Sequence, residues 1–386
     1  MTHVVMFVFN PVLHDSRVLR EARSLVRFGY KVKLIGTTEA TRPETIPLDG
    51  IEILRLPLLR LPIISASDIK FLRVLLYGLR ILWYSIQVRN TKADIYHIHD
   101  FEPLLIGYLL AKKYHSKLVY DSHELYWGRF RLPWWGEPLR KLLTKLESFL
   151  AHRTDYVITV SHGLSQELST RFKTKSIAVV RNISEVSHTH CTRNLRRDAN
   201  IPDDAKIIVH TGNLLPMERC FDEIITSMQL LPANIYLVFV GTGKLLPHLL
   251  QLSKQLNLSS RVKFLPPVHP HEVVPYIKEC DIGIVSTRPD TPSSYHALPH
   301  KLFEYIAATL PVVAGNLPEV QTIVKSYDIG VIFHSYDPHS IAAAIKKALE
   351  PTNYIRFKHN IRKAHKELNW QVEQHKLLSV YENLTR

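Results

Sequence analysis

The chain has 386 residues, 46% of them hydrophobic and 22% charged, the usual mixture for a folded protein. This excludes a disordered chain, a collagen-like repeat and a disulfide-stapled miniprotein. At roughly 100–200 residues per domain it predicts two domains, or three small ones. The formal net charge is +14, and residues 1–185 carry 27 Lys and Arg against 17 Asp and Glu, which favours an anionic partner: nucleic acid, anionic lipid or a phosphorylated substrate.

Val4–Phe9 is a continuous apolar run, as in a strand buried on both faces of a parallel sheet. A helix from Arg17 to Phe28 follows, stopped by Gly29, and then a strand over Lys31–Ile35. This β-α-β opening predicts an α/β fold with a parallel sheet. The rhythm continues with strands at Ile95–Ile98, Lys117–Tyr120, Tyr156–Val160 and Ile177–Val180, and helices at Leu104–Tyr114 and Gly163–Arg171. Ser184–Asp204 is polar and charged and reads as a linker. A second series starts at Ile207–His210, with strands at Tyr236–Val240, Val262–Leu265, Ile282–Val285 and Pro311–Ala314. Two similar doubly wound domains are expected.

Cys191, Cys220 and Cys280 are scattered without a CxxC pair, and no HExxH spacing occurs. No zinc ribbon, disulfide framework or metal-ligand cluster is expected, and a reducing compartment fits. No secretory leader is expected, because no basic stretch precedes Val4–Phe9. Ile69–Val88 is the best membrane candidate, but Lys70, Arg73 and Arg80 interrupt it, so no transmembrane span is expected.

In doubly wound sheets ligands sit beyond the carboxyl ends of the strands. That rule selects Asn10, His99-Asp100, Asp121–Glu124 and Ser161 in the first half. In the second half it selects Gly212-Asn213, Gly241–Gly243, Pro266-Pro267 and Thr287–Pro299. Gly241-Thr242-Gly243-Lys244 lies between a strand and a helix, where it serves either an anion or merely a tight turn. Lys301 and Glu304 share a helix face behind Leu298-Pro299, as an anion site or as an ordinary ion pair. In the first loop, beside His14 and Arg17, Asp15 is a base for, or orients, a substrate hydroxyl, or is a helix cap.

The segment "ALPHKLFEYIAATLPVVAG" resembles the donor-binding segment of retaining GT-B glycosyltransferases of the large family four group. "NPVLHDSRVLREARSLVRFGYKV", "DIYHIHDFEPLL", "LVYDSHELY", "HTGNL", "LVFVGTGK", "RVKFLPPV", "CDIGIVS" and the closing "NWQVEQHKLLSVYENL" resemble other parts of that family in the right order. The resemblance implies a GT-B fold, two Rossmann-like domains facing a cleft that holds a nucleotide sugar. Residues 1–182 would form the acceptor-side domain, 183–205 the linker, 206–360 the nucleotide-sugar domain and 361–386 a final helix returning to the first domain.

By position, the resemblance assigns Glu304 to the ribose hydroxyls, and Arg219, Lys301 and the N–H groups near Leu298 to the diphosphate. Asn10, Gly212, Asn213, Gly241, Pro267 and His296 complete the expected donor site, and His14, Asp15, Arg17, His99 and Glu124 the acceptor side. His123 would be the catalytic residue, positioning the donor sugar and polarising the site rather than attacking it. A capping histidine is the competing reading there, and alternate strand positions favour a core role for His97 and His99.

The chain departs from the family at four points. His296 replaces the first of two glutamates, Asn213 replaces a usual arginine, Cys220 a usual glycine, and Asn10-Pro11 a glycine-rich loop.

Along Ile69–Val88 the residues Lys70, Arg73, Tyr77, Arg80, Tyr84 and Gln87 form one helical stripe, and Trp134-Trp135 lie among Arg129, Arg131, Arg140, Lys141 and Lys145. Both suit an anionic bilayer surface, or core helices with a basic edge.

The expectation is therefore a retaining, metal-independent glycosyltransferase without a cofactor, using a UDP-, GDP- or dTDP-sugar. Its acceptor would be a lipid-linked or cell-envelope glycan, and its place the cytoplasmic face of the membrane. The alternatives are a soluble acceptor, or a non-catalytic nucleotide-sugar-binding or scaffold relative. Nucleic-acid binding ranks last, because only charge suggests it.

Overall fold

The computed structural model describes all residues except 14, 60–69, 129–136, 175, 184, 186–191, 216–218 and 386, and only the backbone at 70–77 and 127. His14 and Trp134-Trp135 therefore lie outside the described residues.

The first sheet has eight strands: β1 (His3–Phe7), β2 (Lys31–Thr38), β3 (Glu44–Leu48), β4 (Ile51–Pro57), β5 (Ile95–His99), β6 (Lys117–Ser122), β7 (Tyr156–Thr159) and β8 (Ile177–Val179). Their order is β3-β4-β2-β1-β5-β6-β7-β8, parallel except for β3 against β4. Val4 to Phe7 are all buried, as a run of apolar residues covered on both faces requires. The β3–β4 hairpin escaped the sequence reading, because Pro47 and Leu54-Arg55 break the apolar alternation there. The second sheet holds β9 (Lys206–Thr211), β10 (Ile235–Val240), β11 (Val262–Leu265), β12 (Ile282–Val285), β13 (Val312–Gly315) and β14 (Gly330–Phe333). Its order is β11-β10-β9-β12-β13-β14, all parallel.

Helix Pro351–Glu367 runs through position 360, where the sequence reading placed a boundary; Phe357 and Ile361 are buried in the cores of the second domain. The last helix, Trp370–Thr385, packs on the first domain. Trp370 Nε1 donates to Ser24 Oγ at 2.9 Å, and Arg181 N donates to Glu373 Oε1 at 2.8 Å.

In helix Lys70–Val88 the side chains of Lys70, Arg73 and Tyr77 lie outside the described residues, and of the rest of the polar stripe Arg80 and Tyr84 turn inward while Gln87 is exposed. Ile81, Tyr84 and Val88 are buried, and the Arg80 guanidinium lies over the rings of Phe9 and Tyr84 at 5.6 and 5.7 Å. Aromatic faces hold the arginine inward by a cation–π attraction, and apolar Leu79, Leu82 and Ile86 remain on the outer side.

Candidate active site

The carboxyl ends of the two sheets border one cavity of about 570 Å³, lined from the first domain by Asn10, Asp15, Arg17, His123, Glu124 and Asn182. From the second domain come Arg219, Thr287, His296, Leu298 and Pro299. The domains touch beside it. Ser161 Oγ donates to the His296 carbonyl at 3.1 Å, Gly163 N to Glu319 Oε1 at 2.6 Å, and Ser293 Oγ to Glu124 Oε2 at 3.3 Å.

On the first-domain side, parallel pairing sets His99 of β5 against Asp121 of β6. The fully buried Asp121 carboxylate receives Arg17 Nε at 3.0 Å and Nη2 at 2.9 Å, and contacts His99 Nδ1 at 3.1 Å and His123 Nε2 at 2.9 Å. His123 Nδ1 lies 3.4 Å from Asp100 Oδ2. An imidazole with a carboxylate at each nitrogen is satisfied only when both nitrogens carry protons. Burial opposes that charge, but Asp100 and Asp121 outweigh it and hold His123 well above the usual imidazole range. Burial likewise pushes Asp121 up, while Arg17 and His123 bring it well below the carboxylate range.

His99 and Arg17 were expected to meet the acceptor. His99 is instead completely buried, 3.3 Å from His123, and supports it from beneath. Arg17 borders the cavity but is 3% exposed and spends its guanidinium on Asp121 and the Val180 carbonyl. Asp15 is a helix cap, accepting Val18 N at 3.1 Å, and it also lines the cavity. Asn10 Nδ2 donates to Asp15 Oδ2 at 2.7 Å and holds it there. His97 is a core residue, paired with the Tyr381 hydroxyl at 2.7 Å.

Among the described residues, Glu21, His97, His99 and Asp121 each offer one ligand atom within 4.8 Å of the others, a set that could hold a metal ion. Their spacing in the chain hid this, so the expectation of no metal-ligand cluster is corrected. Both Glu21 oxygens, His97 Nε2 and His99 Nε2 have no hydrogen-bond partner. The Arg17 guanidinium, however, stands 3.1 Å from Glu21 Oε1 and 2.9 Å from Asp121 Oδ1. That cation already neutralises the carboxylates and would repel a divalent ion.

On the second-domain side, helix His300–Ala307 starts at Pro299 without a side-chain cap, so its first N–H groups are available to an anion. Glu304 is fixed by Thr211 Oγ1 at 2.6 Å and by His300 Nδ1 at 3.3 Å. Burial raises its carboxyl, but His300 and Thr211 outweigh this and hold it below its usual value. Lys301 Nζ contacts His210 Nε2 at 2.6 Å; burial and then Arg219 bring the Lys301 ammonium down to about 7. Gly212 has φ 106°, and a Cβ on Gly241 would collide with the Gly212 carbonyl, so both must be glycine for the two strand ends to close. Asn213 and Pro267 are exposed, and Leu298 is buried at the cavity edge. Sequence reasoning missed His210, Thr211 and His300. Only the position of His210 and Thr211 at the end of β9 could have revealed the first two.

Residues 16–184 match the family described as Glycosyltransferase Family 4, and residues 192–367 the one described as Glycosyl transferases group 1. A glycosyltransferase of Methanocaldococcus jannaschii is 24% identical over 373 residues, 93% of this chain and 91% of that protein. A chitobiosyldiphosphodolichol beta-mannosyltransferase of Debaryomyces hansenii is 23% identical, covering 88% of this chain and 77% of that protein. Sucrose-phosphate synthase from Thermosynechococcus elongatus has a similar fold, with TM-score 0.81 and 16% identity over 100% of this chain and 99% of that one. Anabaena HepE, solved with UDP and glucose, has TM-score 0.75 and 14% identity over 99% of this chain and 100% of that one. The two facing Rossmann-like domains and the cleft between them are those of a GT-B glycosyltransferase. This chain belongs to the group 1 glycosyltransferases.

Proposed function

We propose that this enzyme is a retaining, metal-independent transferase that moves a sugar from a nucleotide sugar to a lipid-linked or cell-envelope glycan at the cytoplasmic membrane surface. The observation carrying this reading is the single cavity that joins His123 and Asp15 to Arg219 and the start of the His300 helix. The ribose hydroxyls bind Glu304, and the diphosphate binds the helix N–H groups, Arg219 and Lys301. These cations and dipoles stabilise the negative charge that grows on the departing diphosphate. His123, held as a cation by Asp100 and Asp121, borders the donor sugar as a fixed positive charge that polarises the site. The divalent ion that could otherwise serve the diphosphate is replaced by Arg219 and Lys301.

The Debaryomyces relative is named for a dolichol-linked acceptor, which supports a lipid-linked glycan here. Among the described residues no helix is long and apolar enough to cross a membrane. Exposed Leu79, Leu82 and Ile86 lie on one helix, Leu109 on its neighbour, and Leu142, Leu146 and Phe149 on the next. This layer, near Arg140, Lys141 and Lys145, supports peripheral docking on anionic lipid.

The test of the donor reading is a thermal-melting screen across UDP-, GDP- and dTDP-sugars. A ligand at 100 times its Kd adds about 2.7 kcal/mol of stability. One nucleotide class should raise the melting temperature, and no shift with any of them would refute the donor site.

A further inference from the structure

A second groove of about 490 Å³ runs along the first-domain helix Ser16–Arg27, on the side of it that meets the second domain. Arg20, Arg23 and Arg27 line one wall, and His269, His271 and His300 stand on the other. The arginines are three and four residues apart, so they share one helix face. Ser16 lines both this groove and the catalytic cavity, so the two are neighbours at the start of the helix.

Arg20 is the telling residue. It is 4% exposed, and its Nη2 donates to Asn182 Oδ1 at 2.6 Å while its Nε has no partner. Its guanidinium lies 4.7 Å over the Trp370 ring. Among the described residues no carboxylate lies within ion-pair distance of it. A buried, unpaired guanidinium is costly unless an anion completes it. Arg23 and Arg27 are paired with Asp49 at 2.7 Å and Glu185 at 3.0 Å, each pair having one exposed and one half-buried partner. Such surface pairs are worth little and exchange readily for a stronger anion. Guanidinium groups match phosphate geometry in a fork that lysine does not offer.

We infer that this groove binds a phosphate or diphosphate group carried by the acceptor, which rests on the transferase reading above. The donor's own diphosphate is served across the cleft by Arg219 and Lys301, whereas Arg20, Arg23 and Arg27 belong to the acceptor-side domain. The helix rises about 1.5 Å per residue, so Arg20 lies roughly 6 Å and Arg27 roughly 17 Å beyond Ser16. The arginine row is thus within reach of a phosphate on an acceptor sugar held beside Asp15.

The experiment is a calorimetric titration of inorganic pyrophosphate into the full-length protein already saturated with UDP, or with GDP where the melting screen selects it. The expected result is saturable pyrophosphate binding. It should be weakened about tenfold or more by Arg23→Ser with Arg27→Ser, and by Arg20→Gln, with nucleotide affinity unchanged. The double variant alters only surface arginines and carries the test even if Arg20→Gln fails to fold. No pyrophosphate binding to the nucleotide-saturated protein, or unaltered binding in the double variant, overturns the inference while leaving the donor site intact. Failure of the nucleotide itself to bind overturns the transferase reading instead. Competing the pyrophosphate with glucose 1-phosphate and with farnesyl diphosphate distinguishes the source. Displacement by the sugar phosphate supports a soluble acceptor, displacement by the isoprenyl diphosphate alone supports a lipid-linked one, and displacement by neither contradicts an acceptor site.

Discussion

Arg17 and Asp121, 104 residues apart, meet through two hydrogen bonds of 3.0 and 2.9 Å in a fully buried position. The pair ties the first helix to the end of β6 and keeps Asp121 ionised. An ionised Asp121 in turn accepts from His123. The charge on His123 is therefore built on a buried ion pair, and depends on Arg17, which is itself only 3% exposed.

Because Asp100 and Asp121 hold His123 well above the usual imidazole range, its charge persists through neutral pH. Its folded-state value is raised, so its contribution to stability is complete below about 6.5 and is lost as pH rises through the folded value. Turnover should follow, flat near neutrality and falling on the alkaline side. Asp100→Asn should move that alkaline limb to lower pH, and His123→Ala should reduce kcat far more than donor affinity. A pH profile of kcat for the three proteins decides this. An unmoved limb in Asp100→Asn, or near-normal turnover in His123→Ala, removes the proposed role.

The donor cations make a separate prediction. Glu304→Ala and Arg219→Ala should each cost about 1.5–3 kcal/mol of nucleotide binding, the range for a charge-assisted hydrogen bond. Lys301, brought down to about 7, loses its proton in the free protein above that pH, and a bound diphosphate restores it. Nucleotide affinity should therefore weaken between pH 7 and pH 9, with proton uptake on binding. Calorimetry in buffers of different ionisation enthalpy measures both. Full affinity in both alanine variants would place the donor elsewhere.

Glu147 provides a pH effect on stability away from the cleft. It is buried under Tyr120, whose hydroxyl donates to it at 2.7 Å, and burial pushes its carboxyl up to about 7. The folded protein holds this proton where the unfolded chain, with a carboxyl near 4.3, has released it. The contribution is present below about 4.3 and is lost as pH rises to about 7. Glu147→Gln removes the titration, so its stability relative to wild type should improve by on the order of 3 kcal/mol from pH 4.3 to pH 8. Urea midpoints of the two proteins measure this, and parallel pH curves would contradict it.

For the membrane face, replacing Leu82, Ile86 and Phe149 together with Ser should abolish binding to anionic vesicles at high salt, where screening leaves mainly the apolar insertion. Co-sedimentation is the measurement. Wild type that ignores anionic vesicles, or a triple variant that binds as wild type does, would contradict docking through this layer.

Much of the architecture was legible because the apolar runs of β1, β5, β6 and β9 have no other use than burial in parallel sheets. The hairpin Glu44–Pro57 was not, since Pro47 and the Leu54-Arg55 step interrupt its period of two. Strand-end positions pointed to His99, Asp100, Asp121 and His123, but not to how they divide the work. That depends on which side of the pleat each faces, and on Arg17 arriving from another helix. Helix Lys70–Val88 misled for a related reason: a stripe of arginine and tyrosine suggests solvent, yet aromatic rings captured Arg80 on the inner side.

The most direct test of the transferase reading follows the anomeric proton by NMR while the protein, in EDTA, consumes the nucleotide sugar selected by the melting screen. The prediction is slow release of a sugar that first appears with the donor's own anomeric configuration, slowed at low donor concentration in Glu304→Ala. First appearance of the opposite anomer, or no consumption until a divalent ion is added, would contradict it.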